Sequence, residues 1–310
     1  MFRRITPLVI LVLFAFGCQQ PEPDATVTAP EPAPTETQPQ PPAPIVLSEG
    51  FSTPESVLYD AEQDVYLVSN INGSPVEQDN NGYISRINPE TLEVEAKWIE
   101  GGRNSAQLGA PKGMAIVGDE LWVSDITFIR KFDRKTGAWK SSTAIRGTTF
   151  LNDLVSDGNN VYVSDTGMKM EGGNFVGTNT DGIWSVGGGA SKRYASGMDL
   201  NRPNGLAVSG GKVWAVSYAG SELYDIANGK KGQVTTLPAG ALDGLVAIPD
   251  GSFLVSSWDG KAVYRGTPGG TFQPVEQNVD APADLGFDSK RNRILIPHFM
   301  ENRVSIHPLE

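Results

Sequence analysis

Short apolar runs separated by Gly, Asp, Asn and Pro dominate the chain from Ile45 to Glu310, and helical periodicity is nearly absent. The runs either alternate apolar and polar residues or are wholly apolar over about four to eight positions, which is typical of β-strands. Turn sequences such as Pro249-Asp250-Gly251 lie between neighbouring runs. The pattern therefore predicts an all-β domain made of short strands.

One strand-opening phrase recurs six times along this domain, roughly 40 to 55 residues apart. Each copy leads into an apolar strand, a short turn and a second strand such as K-V-W-A-V-S. The copies are P-E-S-V from Pro54, P-K-G-M from Pro111, L-N-D-L from Leu151, P-N-G-L from Pro203, L-D-G-L from Leu242 and P-A-D-L from Pro282. Strand-rich repeats of this length are typical of propellers, so we expect a six-bladed β-propeller with four-stranded blades.

The sixth repeat is too short for a complete blade. Strands over residues 285–288, 291–296 and 303–307 leave no sequence for a fourth strand. The segment Ile45-Val46-Leu47 precedes the first repeat, at the place of an outermost strand. We expect this N-terminal strand to close the last blade, because closure leaves no long open sheet edge.

The second residues of the six phrases should form a ring at one end of the central channel, because a propeller brings equivalent positions together. They are Glu55, Lys112, Asn152, Asn204, Asp243 and Ala283. Four of the six carry the carboxylate or amide oxygens that Ca²⁺ prefers, whereas the domain has no cysteine and both histidines lie outside the phrases. Asn and Asp are also common in turns, but four oxygen ligands at one register position favour a site for Ca²⁺ or another divalent cation.

The longest predicted loops should lie over this ring. Residues 72–82 and 167–182 connect the second strand of a blade to the third, and residues 105–110 extend a loop that leads into an innermost strand. Both kinds of loop lie at the same end of a four-stranded blade. We interpret them as a binding face rather than as tolerated surface variation.

The phrases resemble those of the senescence-marker-protein/gluconolactonase family, which includes regucalcin, and more loosely those of diisopropylfluorophosphatase. The matching segments are Pro54-Glu55, Asn152-Asp153, Pro203-Asn204-Gly205 and Asp243-Gly244, in the family's order and across essentially the whole domain. The resemblance implies that a divalent cation, usually calcium, is bound by Glu55, Asn152, Asn204 and Asp243. Ser56 and Lys112 depart from the family pattern.

The resemblance also implies a metal-dependent hydrolase of a small-molecule lactone or related ester. Asp243 would be the general base, and Asp153 would orient water or a substrate hydroxyl. Lys112 would stabilise an oxyanion, bind a substrate carboxylate or merely neutralise the ring. From its position just after the predicted second strand of blade five, Trp258 should lie near the ring face, where it would form a wall of the substrate site. The sequence does not distinguish lactonase from phosphotriesterase chemistry. It also does not specify the metal preference or the oligomeric state.

Two other functions fit the same residues. A non-catalytic propeller would bind a protein or glycan through its loop-rich face, or the metal would only brace the channel. The four ligands favour the enzyme, since a scaffold has no need to assemble them, whereas Lys112 suggests altered or lost catalysis. We expect Trp122, Trp184 and Trp214 in the core between blades, because they alternate within strands.

The N-terminal 17 residues have the pattern of a signal peptide, with positive charge in residues 1–4 and an apolar run over 5–16. Cys18, the only cysteine, resembles the lipidated cysteine of bacterial lipoproteins; a secreted protein with an unmodified cysteine is the alternative. Residues 18–44 are rich in Pro, Thr, Glu and Ala and should form a disordered tether ahead of the propeller at 45–310.

These features predict a lipid-anchored protein of the bacterial cell envelope that contacts a membrane only through its anchor. Gln19 after the cysteine favours, by analogy, the outer membrane, with the domain facing the periplasm. The net charge is −11, and loss of Arg3 and Arg4 with the signal peptide lowers it to −13. Without a basic stripe, the sequence argues against nucleic acid as a partner.

Overall fold

The structure is a computed structural model that describes Val12, Gly17 and residues 43–188 and 190–309. Cys18 and most of the predicted signal peptide and tether lie outside these described residues. Backbone contacts divide the chain into Met1–Gln40 and Pro41–Glu310, and the second unit contains every strand given below. Within the described ranges, no helix has the length and apolar character needed to span a membrane.

The predicted architecture is confirmed, because the domain consists of six four-stranded antiparallel sheets and one two-stranded hairpin. The first strand is β1 (Ile45–Leu47). Blade one contains β2 (Pro54–Asp60), β3 (Val65–Asn70), β4 (Tyr83–Ile87) and β5 (Val94–Glu100). Blade two contains β6 (Pro111–Val117), β7 (Glu120–Asp125), β8 (Phe128–Asp133) and β9 (Trp139–Ala144).

Blade three is interrupted by the extra hairpin. In chain order its region contains β10 (Leu151–Ser156), β11 (Val161–Asp165), the hairpin β12 (Met168–Glu171) and β13 (Asn174–Gly177), β14 (Gly182–Gly187) and β15 (Ala190–Ser196). A short 3-10 helix over Met198–Leu200 follows, the only helix among the described residues. The loop expected over 167–182 is therefore largely this hairpin.

The remaining blades are regular. Blade four contains β16 (Pro203–Ser209), β17 (Lys212–Ser217), β18 (Glu222–Ala227) and β19 (Lys230–Thr236). Blade five contains β20 (Leu242–Ala247), β21 (Phe253–Ser257), β22 (Ala262–Gly266) and β23 (Gln273–Gln277). Blade six contains β24 (Gly286–Asp288), β25 (Arg293–His298) and β26 (Arg303–Pro308), completed by β1.

The ring closes as predicted through the N-terminal strand. β1 pairs antiparallel with β26, with Ile45 opposite Ile306 and Leu47 opposite Val304. Ile45 and Leu47 also pack against the apolar cluster between blades six and one, whereas Val46 is 45% exposed. The first and last blades are thus joined by both backbone pairing and apolar contact.

Apolar side chains fill the space between neighbouring blades. Six apolar clusters of the described residues each combine residues from two adjacent blades, and together they run around the whole ring. Trp122 and Trp184 lie in the cluster between blades two and three, and Trp214 lies between blades four and five. Their predicted place in the core is confirmed. A core of this shape fixes the innermost strands around the channel.

Candidate metal and substrate site

The backbone of each phrase departs from regular strand pairing. The register between the first two strands shifts within the phrase in blades one to five. Such a β-bulge bends the strand and changes the direction of the side chains beside it. Five second-position residues line one cavity at the end of the channel, namely Glu55, Lys112, Asn152, Asn204 and Asp243. Ala283 of blade six is buried without lining this cavity.

Serine residues of the second strands stabilise the shifted backbone. The N–H of the third phrase residue, which lies beside the register shift, donates to a serine hydroxyl in three blades. Ser69 Oγ accepts from Ser56 N at 3.0 Å, Ser164 Oγ from Asp153 N at 3.0 Å, and Ser256 Oγ from Gly244 N at 2.7 Å. Since a buried N–H without a partner is costly, the serines support the bulges that shape the ring.

The last residue of the second strand fixes the loop that leads into the phrase. Asn70 Oδ1 accepts a hydrogen bond from Ser52 N at 3.0 Å. Asp125 Oδ1 accepts from Ala110 N at 2.8 Å, and Asp165 Oδ1 accepts from Phe150 N at 2.9 Å. Blades one to three therefore hold their ring residues through side-chain to backbone hydrogen bonds at equivalent positions.

Close approach of the innermost strands explains the glycines at the third phrase position. A Cβ on Gly205 would lie 2.3 Å from Asp243 O, and a Cβ on Gly244 would lie 2.4 Å from Leu285 N. Real Cβ atoms do not approach backbone atoms so closely, so a larger residue would push the strands apart. These glycines allow the innermost strands of neighbouring blades to lie close together around the channel.

The ring residues form the floor of a cavity of about 600 Å³. Its walls come from the ends of second strands and from the long loops, including Gly73 and Pro75 of the loop between β3 and β4. Met168 and Phe175 of the β12–β13 hairpin also line it. The loops over residues 72–82 and 167–182 therefore lie over the ring as expected, whereas no residue of the third loop, 105–110, lines the cavity.

Two buried oxygen atoms of the ring lack a hydrogen-bond donor. They are Glu55 Oε2 and Asn204 Oδ1. Asn204 Nδ2 donates to Asp243 Oδ1 at 3.2 Å, and Asn152 Nδ2 donates to Thr166 Oγ1 at 3.2 Å, so both amide nitrogens already have partners. Because buried acceptors are nearly always satisfied, a ring of carboxylate and amide oxygens with free acceptors fits a hard divalent cation.

The electrostatics of the ring also favour a bound cation. Burial raises the pKa of Glu55 well above its usual range, and the neighbouring Asp243 and Asp284 raise it further. Burial raises the pKa of Asp243 to about 8, with Asp284 acting in the same direction and Trp258 and Asn204 opposing it. Carboxylates crowded in this way are destabilised as anions unless a positive charge compensates them.

Lys112 supplies a positive charge at the ring without pairing directly with a carboxylate. Its Nζ donates to Pro75 O at 3.0 Å and to Ala110 O at 3.1 Å, and lies 4.4 Å from the centre of the Phe150 ring. Burial lowers the pKa of Lys112 to about 8, against the opposing effects of Glu55 and Asp125. Two of its three N–H donors are engaged, and one is left for a ligand in the cavity.

Asp153 lies one layer deeper in the channel, away from the cavity lining. Its oxygens accept from Leu154 N and Leu206 N, both at 2.6 Å. Asp284, which the sequence reasoning missed, accepts from Ser56 Oγ at 2.6 Å and shares a side-chain hydrogen bond with Asp153. Burial raises the pKa of both carboxyls, that of Asp284 to about 7. In this position Asp153 and Asp284 are suited to support the ring residues.

Trp258 lines the cavity, as expected of a residue just after the second strand of blade five. Its ring centre lies 6.2 Å from that of Tyr218 and 5.3 Å from that of Phe299. Tyr218 and Phe299 occupy the equivalent positions of blades four and six, and both line the cavity. The sequence reasoning did not include them, although the same register argument applies to them.

The described part of the chain contains no group of three or more His, Cys, Asp or Glu side chains arranged to hold a metal ion. A cation at the ring would therefore depend on the amide oxygens of Asn152 and Asn204 as well as on the two carboxylates. This donor set is oxygen only, which suits Ca²⁺ and does not suit metals that prefer nitrogen or sulfur ligands.

Solved structures share this fold at low sequence identity. A gluconolactonase from Xanthomonas campestris aligns with a TM-score of 0.62 and 16% identity, over 86% of this chain and 90% of that chain. Virginiamycin B lyase from Staphylococcus aureus aligns with a TM-score of 0.60 and 12% identity, over 86% and 99% of the two chains. A chain of a nidogen/laminin complex aligns with a TM-score of 0.56 and 15% identity, over 70% and 76%.

No protein-family model matches the chain, and no curated protein matches its sequence. The structural likenesses therefore show the propeller fold, which the chain shares with a gluconolactonase and a lyase.

Proposed function

We propose that this protein is a metal-dependent hydrolase of a lactone or related ester. The observation that carries the proposal is the pair of buried, unpartnered oxygens, Glu55 Oε2 and Asn204 Oδ1, in the floor of a cavity of about 600 Å³. A structural scaffold gains nothing from leaving buried acceptors unsatisfied, whereas a ligand-binding floor requires free acceptors. The fold shared with a gluconolactonase is consistent with this function.

Glu55, Asn152, Asn204 and Asp243 would hold the cation, with Ca²⁺ as the expected ion. When bound, a divalent cation supplies a Lewis acid that polarises the substrate carbonyl and lowers the pKa of a nearby water. The rest of the chemistry is assigned to the protein's own side chains.

Asp243 is the proposed general base. Its Oδ1 accepts from Asn204 Nδ2, which orients the carboxylate and leaves Oδ2 to take a proton from the attacking water. The water oxygen forms the new bond to the carbonyl carbon, and the bond from that carbon to the oxygen atom within the lactone ring breaks. The proton then passes to the departing alkoxide, so the product is a hydroxy acid.

Lys112 is proposed to bind the carbonyl oxygen or the carboxylate product through its free N–H. Its two backbone acceptors hold the ammonium at the cavity wall, so little reorganisation is needed when negative charge develops. Asp153 and Asp284 are proposed to hold the ring residues in position from the side of the ring that faces away from the cavity, since neither lines the cavity.

The first test is hydrolysis of δ-valerolactone and a chromogenic phosphotriester, with calcium or with a chelator present. We expect lactone hydrolysis that the chelator abolishes. In Asp243→Asn we expect kcat to fall about 100-fold or more, because the amide cannot accept the proton. Asp119→Asn, at an exposed turn, is the matched control and should retain activity. Equal activity of the wild type and Asp243→Asn would contradict the assignment of the base.

We also propose that Cys18 is lipidated and anchors the protein at the outer membrane, facing the periplasm. The support is sequence-based: a short apolar run ends at Gly17-Cys18, and a Pro-rich segment follows. In a bacterial host, Cys18→Ala should move the full chain from the membrane fraction to the soluble fraction. An unchanged membrane fraction in that variant would refute the anchor.

A further inference from the structure

The cavity above the ring has two apolar walls. On one side Tyr218, Trp258 and Phe299 make consecutive ring contacts across blades four to six. On the other side Phe150 contacts Phe175 edge to face at 5.9 Å between ring centres, and Met168 lies beside them. We call these six residues the apolar walls.

Polar groups are scarce above the ring. Outside the ring itself, Thr53, Arg202 and Asn302 are the polar residues that line the cavity, and the aromatic residues Tyr218 and Trp258 add one hydroxyl and one indole N–H. Asn302 Oδ1 is already engaged, because it accepts from Thr53 N at 2.7 Å. A substrate with many hydroxyl groups would leave most of them without hydrogen-bond partners against these walls, at a substantial cost in binding free energy.

The mouth of the cavity also exposes large apolar side chains to solvent. Phe175 is 43% exposed and Met300 is 68% exposed, and both line the cavity. Met170, on the same hairpin as Phe175, is 39% exposed. Neighbouring exposed apolar residues at a cavity mouth are typical of a site that binds an apolar ligand group, because that group removes them from water.

We propose that the substrate is a lactone or ester with an apolar alkyl or aryl substituent, rather than a polyhydroxylated sugar lactone. The reacting carbonyl lies at the ring. The substituent lies between the apolar walls and extends out of the cavity past Met300 and Phe175. This inference rests on the proposed hydrolase function for the reacting group, but the apolar walls can be tested by binding alone.

The kinetic test compares three six-membered lactones: δ-valerolactone, its pentyl-substituted analogue δ-decalactone, and glucono-δ-lactone. With the full chain, we expect kcat/KM for δ-decalactone to be about 100-fold above that for δ-valerolactone, because the carbons of the pentyl chain together bury apolar surface that δ-valerolactone lacks. We expect glucono-δ-lactone to be the poorest of the three.

Two exposed methionines provide a matched pair of variants. Met300→Ala removes part of the cavity mouth and should lower the ratio of kcat/KM for δ-decalactone to that for δ-valerolactone by about fivefold. Met198, which is 58% exposed and does not line the cavity, is the control, and Met198→Ala should leave the ratio unchanged. Both side chains are exposed, so neither change removes core packing.

A binding measurement separates failure of this inference from failure of the hydrolase function. Calorimetry with the pentyl-substituted δ-lactam, which resists hydrolysis, should show binding that is weakened in Met300→Ala, and the unsubstituted lactam should bind at least about tenfold more weakly. If no lactone is hydrolysed but the pentyl-substituted lactam still binds more tightly than the unsubstituted one, and Met300→Ala weakens its binding, the apolar binding site is supported and the hydrolase function is contradicted. Hydrolysis of glucono-δ-lactone as efficient as that of δ-decalactone, or equal binding of the two lactams, would overturn the inference.

Discussion

At the scale of single residues, the site depends on a small change of backbone register that is repeated around the ring. The second residues of the phrases in blades one to five lie beside a bulge and line the cavity, and a serine of the neighbouring strand accepts from the next N–H in blades one, three and five. Asn204 and Glu55 then present buried oxygens without donors. The residue types alone would thus not produce this site, because the local backbone sets the direction of the side chains.

Lys112 should oppose cation binding in a pH-dependent way. Burial lowers its pKa to about 8, so the ammonium is charged below that pH and mostly neutral above it. Lys112→Met removes a positive charge near the ring, and at pH 7 we expect calcium affinity to rise about tenfold, equivalent to about 1.4 kcal/mol. At pH 9 the gain should shrink, because the wild-type lysine has lost its proton. Calorimetry at both pH values checks this, with Lys112→Arg as the charged control.

An equal gain at pH 7 and pH 9 would show that the effect of Lys112→Met is steric rather than electrostatic. A loss of affinity at pH 7 would show instead that the lysine supports the ring.

The phrase register was sufficient to predict Glu55, Asn152, Asn204 and Asp243 at one cavity, because a propeller superimposes equivalent positions. The same register reasoning, applied one residue beyond each second strand, would also have found Tyr218 and Phe299 beside Trp258. Asp284 was missed because it lies at the third position of the sixth phrase, whereas the ring argument used the second positions and the family resemblance covered no segment of that phrase. The free donor of Lys112 and the depth of Asp153 depend on distances between blades, which sequence pattern does not specify.

At the scale of elements, β1 is the segment on which closure of the ring depends. Without it, β26 would present an unpaired edge, and the apolar cluster between blades six and one would lose Ile45 and Leu47. The sequence predicted this strand from the missing fourth strand of blade six. It did not predict the β12–β13 hairpin, although Gly172-Gly173 between two short runs is a hairpin signal, since the strand pattern of those runs is weak.

The closure can be tested without deleting the strand. Replacing both Ile45 and Leu47 by Asn should destabilise the domain by roughly 3 kcal/mol, because two half-buried apolar side chains lose their packing, and should lower Tm by roughly 6–12 °C. Val46→Asn is the control, since Val46 faces solvent. Thermal unfolding followed by circular dichroism measures both. A Tm for the double variant equal to that of Val46→Asn would contradict the closure.

At the scale of the whole molecule, the propeller arranges six weakly similar repeats around one cavity. The apolar clusters between blades hold the innermost strands close together, and buried ion pairs add specific links, such as that of Arg134 in blade two to Asp60 in blade one. The acidic net charge of −11 is consistent with attraction of cations to the channel. The fold and the position of the ring follow from the sequence repeats, whereas the proposed substrate preference rests on the apolar walls.

The most direct test of the account is calcium titration of the purified full chain by calorimetry, beside Asn204→Ala and the exposed-turn control Asn159→Ala. We predict one calcium site in the wild type and in Asn159→Ala, and affinity at least about tenfold weaker in Asn204→Ala, because the variant lacks a buried amide ligand. If neither calcium nor any other divalent cation binds the wild type, the ring is not a metal site. The metal-dependent hydrolase is then excluded, and a non-catalytic binding propeller becomes the better account.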